Sequence, residues 1–379
     1  MYKICVYAIC KNELKFVDKW LENMSEADYI VVLDTGSTDG TYEKLKADKR
    51  VTAVEQKEIK PWRFDVARNE SMKLIPQDAD ICVCTDFDEL FDKGWAEYLR
   101  SNWSDKVNRA FYTYAWGQTE TGHWHDIFRG DKIHANTKDF HWIYPVHEVV
   151  TNDKPQNVVD FGQSLFLYHY QDKNKKRAYY LDLLKLAAEE NPNDPHIRAL
   201  YAREFLVEHN VKDPKNIDNA KKEYLKILEL PAVKELMYRS EYLHVLLQLA
   251  LIEYVFYKNY EKAIFYSLKF LELDDSYRDP YLLLADICLD KQLYKLAEGI
   301  LNTAKEYTYQ HYSWVERQNT FLEWMPTIES QVKFYLGKYE EALAANQKAL
   351  EFTPDNQDLV NNKLVIQQII EDANKKEAN

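Results

Sequence analysis

At 379 residues, with 46% hydrophobic and 29% charged side chains, the chain is long enough for two cored domains and too apolar to be disordered. A formal net charge of −13 argues against a general nucleic-acid binder and against docking on an anionic membrane surface. No apolar stretch reaches the roughly 18 residues of a membrane span, and five cysteines without a second pair beside Cys82-x-Cys84 suit reduced core thiols in a cytoplasmic protein.

Composition shifts along the chain. Seven of the nine glycines precede residue 163 and seven of the nine tryptophans precede residue 143, whereas the later part is rich in Leu, Lys, Glu, Tyr and Ala. This predicts two domains, 1–172 built from strands, helices and turns, and 173–379 built from helices.

Ile4 to Ile9 is a first buried strand, followed by a Lys11-Asn12-Glu13 turn and apolar residues at helical spacing, Leu14, Val17, Trp20, Leu21 and Met24. Tyr29 to Leu33 is a second strand. It runs into Asp34-Thr35-Gly36-Ser37-Thr38-Asp39-Gly40-Thr41, a tight loop that places Asp39 or Thr38 as N-cap of a helix over 41–47. Val51 to Val54, a helix over 63–73 and a strand over 81–84 complete a β-α-β-α alternation, which predicts an α/β fold with a Rossmann-like, mostly parallel sheet.

The strand over 81–84 ends in Asp86-Phe87-Asp88-Glu89, three carboxylates within four residues. Strand ends are where open α/β sheets present ligand groups. If the chain stays extended, Asp86 and Asp88 share one face and lie close enough to hold one divalent cation; an acidic turn that merely solvates a strand end is the plainer alternative.

Four blocks in order, Ala8-Ile9-Cys10-Lys11-Asn12-Glu13, Val32 to Thr41, Trp62 to Asn69 and Thr85 to Glu89, resemble the successive blocks of family 2 glycosyltransferases, over roughly residues 3 to 170. The subgroup resembled includes lipopolysaccharide-core glucosyltransferases and the sublancin S-glycosyltransferase. The resemblance implies the GT-A fold and a nucleotide-sugar donor, UDP-glucose or UDP-N-acetylglucosamine. It implies that Asp34 hydrogen-bonds the donor nucleoside, that Ala8, Lys11, Asn12, Glu13 and Ser37 line that pocket, and that Asp65 and Arg68 sit beside ribose and phosphates. Asp86 and Asp88 match the Asp-x-Asp pair that takes Mn²⁺ or Mg²⁺, with Asp88 the more direct ligand; Phe87 stands where many relatives have alanine. A metal held there neutralises the departing diphosphate, and Arg68 either adds a forked phosphate contact or makes a surface salt bridge of its helix.

Further on, Asp126-Ile127-Phe128-Arg129 and Val146-His147-Glu148-Val149 resemble later segments of the same subgroup, and Tyr168-His169-Tyr170 a His-Tyr block. An acceptor hydroxyl or thiol must lose its proton as it attacks, so a positioned base is needed, with Glu148 preferred and Asp126 the second candidate. His147 is either a third metal ligand, a phosphate-orienting group or a hydrogen-bonded core residue. Trp116, Trp124 and Trp142 form either a sugar-stacking wall or ordinary core.

From about residue 175 the periodicity is helical. Asn259-Tyr260-Glu261-Lys262-Ala263 recurs 34 residues later as Leu293-Tyr294-Lys295-Leu296-Ala297 and again, after a longer gap, as Lys338-Tyr339-Glu340-Glu341-Ala342. A 34-residue period with Tyr-x-x-Ala resembles the tetratricopeptide repeat, about four irregular units over 195–370, serving either as a protein-binding arm or as a homodimer scaffold. The expected function is a metal-dependent, inverting glycosyltransferase whose acceptor is a protein or peptide side chain. The alternatives are a transferase of cell-surface glycan or lipopolysaccharide core, and a repeat scaffold with an inactive transferase domain.

Overall fold

The computed structural model describes residues 1–118, 122, 124–172, 180–207, 210–308 and 323–377, with backbone only for residues 125, 126, 376 and 377. The chain forms two compact units, Met1–Pro192 and Asn193–Asn379. The second begins at an Asn193-Asp194-Pro195 restart, where the Asp194 carboxylate caps the next helix by accepting from the His196 and Ile197 amides.

In the first unit β1 (Ile4–Cys10) is buried along its whole length, as a central parallel strand must be. It pairs in parallel with β2 (Tyr29–Asp34) on one side and β4 (Ile81–Cys84) on the other, and β3 (Ala53–Gln56) extends the sheet beyond β2. The period of two splits β1 between two cores. Ile4, Val6 and Ala8 face α1 (Val17–Met24), which buries Val17, Trp20, Leu21 and Met24, while Cys5 and Tyr7 face Cys82, Cys84, Phe140 and Trp142. The buried thiols at 5, 82 and 84 are core fillers.

The sheet is mixed. Beyond β4 lie β7 (Trp124–Ala135) and β6 (Arg109–Gln118), both antiparallel to their neighbour, then β10 (Val158–Asp160) and β11 (Phe166–His169), each parallel to β6, and β5 (Glu89–Phe91) at the edge beside β11. The reading of a mostly parallel sheet fits the βαβ half. The aromatic stretch from 109 is a long antiparallel ribbon that the helix-strand alternation gave no sign of, because both its faces carry large side chains. Gly130 on β7 is the close-approach point: a Cβ there would overlap the buried Tyr112 ring.

A two-stranded pair, β8 (Phe140–Ile143) with β9 (Val149–Asn152), packs beside α3 (Phe64–Met72). The Asn69 amide makes the join, donating to the Trp142 carbonyl at 2.9 Å and accepting from the Trp142 N–H at 2.8 Å. A buried polar chain runs below it. The Trp142 indole N–H lies 3.0 Å from the Tyr7 hydroxyl, which meets His134 Nε2 at 2.8 Å; His134 Nδ1 faces the Ala135 carbonyl at 2.9 Å.

The second unit is a run of helix pairs: α6 (Pro195–Glu204) with α7 (Pro214–Glu229), α8 (Arg239–Val255) with α9 (Tyr260–Leu273), α10 (Asp279–Asp290) with α11 (Tyr294–Glu306), and α12 (Met325–Tyr335) with α13 (Tyr339–Leu350). In the first unit α2 is Thr41–Ala47, α4 Trp95–Asn102 and α5 Tyr180–Glu190; in the second, α14, Gln357–Glu377, packs on α13. The repeated Tyr-x-x-Ala blocks open α9, α11 and α13, and their alanines, 263, 297 and 342, are each fully buried. A residue that small lets paired helices approach closely, which is why the motif recurs. Among the described residues no helix is long and apolar enough to cross a membrane.

Candidate functional site

The parallel register sets the site. Cys10 pairs with Asp34 and Asp34 with Gln56, so β1, β2 and β3 end together, and Cys84 pairs with Tyr7 on the opposite side of β1. The loops that follow β1, β2 and β4 therefore leave one sheet edge, the edge that binds ligands in open α/β sheets.

The first two loops are laced together. The Asn12 side chain accepts from the Thr38 amide at 2.8 Å, and its own N–H donates to Ser37 Oγ at 2.8 Å. The Glu13 amide donates to Thr41 Oγ1, and the Leu14 amide to the Asp39 carboxylate. Asp39 or Thr38 was expected as the helix cap; Gly40 takes that position with φ of 94°, and the Asp39 carboxylate accepts from Leu14 and Thr41 instead.

Asp34 is fully buried. Its Oδ1 accepts from the Gly36 and Ser37 amides at 2.9 and 2.8 Å and from Gln56 Nε2 at 3.0 Å, while Oδ2 meets the Cys10 thiol at 3.4 Å. Burial opposes its charge, but these hydrogen bonds outweigh burial and hold the carboxyl below its ordinary pKa.

After β4 the chain turns through Asp86-Phe87-Asp88-Glu89. Phe87 is 3% exposed and stacks on Trp20, with ring centroids 4.2 Å apart, and the Trp20 indole donates to Thr85 Oγ1. The aromatic residue inside the acidic motif thus pins the turn to the core. Glu89, 1% exposed, fastens it from below by accepting from the Asp86 amide at 2.8 Å and the Tyr114 hydroxyl at 2.7 Å.

Arg68, 2% exposed on α3, ties three elements. Its Nη2 donates to Asp86 Oδ1 at 2.6 Å, its Nε to Glu148 Oε1 at 3.0 Å and its Nη1 to Cys84 Sγ at 3.4 Å, with the guanidinium over the Trp142 ring. Burial opposes the charge; Asp86 and Glu148 outweigh it and raise the guanidinium's pKa further. Lys132 on β7 approaches Asp86 Oδ2 at 3.5 Å and Glu89 Oε1 at 3.3 Å. Asp88 is 6% exposed and faces His169 Nε2 at 3.5 Å, while His169 Nδ1 lies 3.2 Å from the Trp116 carbonyl. Burial disfavours the imidazolium, but Asp88 beside it prevails and raises the pKa of His169.

The structure thus joins Asn12, Asp34 and Ser37 in one cluster and Arg68, Asp86 and Glu148 in another, with Asp88 on the same turn. Ala8 is buried in the core, and Asp65 is paired with Arg63, which also holds Glu190. Lys11 is exposed and Glu13 buried. His147, at φ 51°, sets its ring edge against Tyr180. The Asp126 side chain lies outside the described residues. Of the three tryptophans, Trp142 is core, Trp116 packs on His169 and Trp124 on Tyr168 and Tyr170.

Three residues that sequence reasoning left out of the site stand in it: Glu89, Lys132 and His169. The His-Tyr block was the available signal for His169, and the third carboxylate after β4 for Glu89. Lys132 had none, since its place depends on how β7 pairs with β4.

Among the described residues no three His, Cys, Asp or Glu side chains form a metal cage. Asp88 with His169, one carboxylate and one imidazole 3.5 Å apart, suits a cation that draws its remaining ligands from water and a substrate's phosphates.

The chain matches no protein-family profile and no curated protein. Among solved structures it is similar to S. aureus TarS 1–349 in complex with UDP-GlcNAc, at 14% identity over 73% of this chain and 93% of that one, with a TM-score of 0.36. It is also similar to TTC0263, a thermophilic TPR protein of Thermus thermophilus, at 19% identity over 50% and 89% of the two chains, TM-score 0.35. The first TPR domain of human RPAP3 is 20% identical over 37% and 99%, TM-score 0.30. At these scores the likenesses carry no conclusion about this chain's activity.

Proposed function

We propose that the first unit is a metal-dependent glycosyltransferase that moves a hexose or N-acetylhexosamine from a nucleotide sugar, UDP-linked, to an acceptor with inversion. The observation that carries the proposal is one sheet edge bearing a buried, charged Asp34 and an Asp86-Phe87-Asp88 turn clamped by Arg68. Asp34 binds the nucleobase, because a buried carboxylate held ionised is an acceptor for an imide N–H. Lys132 faces the diphosphate, and Arg68, buried behind the turn, holds Asp86 and Glu148 in place. Asp88 and His169 would hold Mn²⁺ or Mg²⁺, with Asp86 beside them, and a cation there would neutralise charge on the departing diphosphate. In the transfer the anomeric carbon–diphosphate bond breaks, the acceptor oxygen or sulfur bonds to that carbon from the opposite face, and the acceptor proton passes to a carboxylate. We assign that carboxylate to Glu148, which Arg68 orients, with Asp126 as the alternative. The acceptor in this reading is a protein or peptide side chain held by the helix pairs of the second unit.

Calorimetry with UDP and Mn²⁺ tests the donor site: binding is expected in wild type and absent in Asp88→Asn. His169→Ala should weaken the metal dependence more than His147→Ala; the reverse order returns His147 to the metal. Turnover by Glu148→Gln together with its loss in Asp126→Asn moves the base to Asp126. Transfer to isolated polypeptides is expected, and transfer restricted to lipid-linked glycan refutes the acceptor assignment.

A further inference from the structure

We infer that Lys132 is a positioning residue of the candidate donor site, a built-in cation that holds Asp86 and Glu89 and sets the charge against which a divalent cation and a nucleoside diphosphate bind. The inference rests on the nucleotide-sugar reading above.

Three observations carry it. Lys132 is placed by the sheet and not by a loop: β7 pairs antiparallel with β4, Ile133 opposite Val83, so the residue before Ile133 reaches past the end of β4 to the acidic turn. Its ammonium bridges two carboxylates, Asp86 Oδ2 at 3.5 Å and Glu89 Oε1 at 3.3 Å, and lies 5.8 Å from the Tyr114 ring centroid. Asp86 is thereby held by cations on both oxygens, Oδ1 by Arg68 from α3 and Oδ2 by Lys132 from β7. A carboxylate so occupied is a poor first ligand for a metal, which leaves the direct contact to Asp88.

The charge balance gives the inference its test. Asp86, Asp88, Glu89 and Glu148 stand against two permanent cations, Arg68 and Lys132, with the titratable His169 beside Asp88. A divalent cation fits that excess of negative charge; a diphosphate does not, unless fixed positive charge is near. Removing Lys132 therefore pushes the two ligands in opposite directions. Mn²⁺ alone binds more tightly to the more negative site, and UDP binds less tightly. A lysine that merely supports the fold would weaken both.

The experiment measures both affinities by calorimetry on the full chain. Lys132→Met is expected to bind Mn²⁺ alone roughly threefold to tenfold more tightly and UDP, at saturating Mn²⁺, roughly tenfold more weakly. Lys132→Arg is expected to restore both. If Lys132→Met does not fold, Lys132→Met/Glu89→Gln carries the test: the net charge is then unchanged, so Mn²⁺ affinity should match wild type while UDP still binds roughly tenfold more weakly. Affinities that fall together, or that do not move, overturn the role of Lys132 while wild-type binding keeps the donor site. Failure of wild type to bind UDP with Mn²⁺ overturns the donor reading and this inference with it.

Discussion

Replacing Arg68 with methionine keeps the aliphatic stem over Trp142 and deletes the guanidinium. Three hydrogen bonds go, to Asp86, Glu148 and Cys84. The two carboxylates then fare differently. Asp86 has a side chain 35% exposed and can rehydrate, so its loss is about 1 kcal/mol or less. Glu148 has a side chain 12% exposed and is left with uncompensated charge. Breaking a buried pair by removing one partner costs about 3–5 kcal/mol, and with Glu148 slightly open to water we expect about 3 kcal/mol in total. Urea unfolding followed by tryptophan fluorescence reads this, since most tryptophans lie in the first unit. Arg68→Met/Glu148→Gln should recover about half, because the stranded charge is gone. A loss below about 1 kcal/mol in the single variant, or no recovery in the double, would refute the view that Arg68 is the electrostatic clamp between α3, β4 and the Glu148 loop.

Other consequences are equally direct. Burial pushes His134 down to about 4, so the folded protein holds it neutral while the unfolded chain titrates near 6.5. Its contribution is complete above pH 6.5 and falls as pH drops toward 4, by about 3 kcal/mol; urea midpoints across that range should flatten in His134→Gln, and an unchanged slope would contradict it. Gly130→Ala forces a methyl into the Tyr112 ring and should destabilise by about 2 kcal/mol, measured as a lowered urea midpoint; a neutral result would mean Tyr112 is free to move. Asp34→Asn should weaken UDP roughly tenfold or more, by exchanging a charged acceptor for a neutral one. Since hydrogen bonds hold Asp34 below its ordinary pKa, its stabilising effect is full above about pH 4 and disappears only as pH falls further.

The βαβ half and the repeat helices were legible because their signals are local. A strand buried on both faces reads as the continuous run Ile4 to Ile9, and a loop ending in Asp34 reads from its glycines. The Tyr-x-x-Ala blocks gave the helix starts because close helix packing demands a small residue at the same step each time. The pairing of β6 with β7 was not legible, since it joins residues far apart in the chain, such as Tyr112 and Gly130 eighteen positions on. Within the site, Asp34, Arg68, Asp86, Asp88 and Glu148 were named from sequence, and the structure gives all five buried or clamped positions, Glu148 through Arg68. What the sequence did not reveal was the pairing among them. That Phe87 anchors the acidic turn follows from its packing on Trp20 of α1, and that Lys132 faces it follows from the pairing of β7 with β4; neither is encoded in a local pattern.

The decisive assay is hydrolysis of nucleotide sugars by the purified protein, with Mn²⁺ or Mg²⁺ and a panel of UDP-, GDP- and CMP-linked donors. Slow metal-dependent hydrolysis of a UDP-linked donor is expected, with UDP-glucose and UDP-N-acetylglucosamine the first to try, and its loss in Asp88→Asn and Asp34→Asn. Hydrolysis that persists in Asp88→Asn, or no donor turned over together with no binding of UDP in the presence of metal, would contradict it.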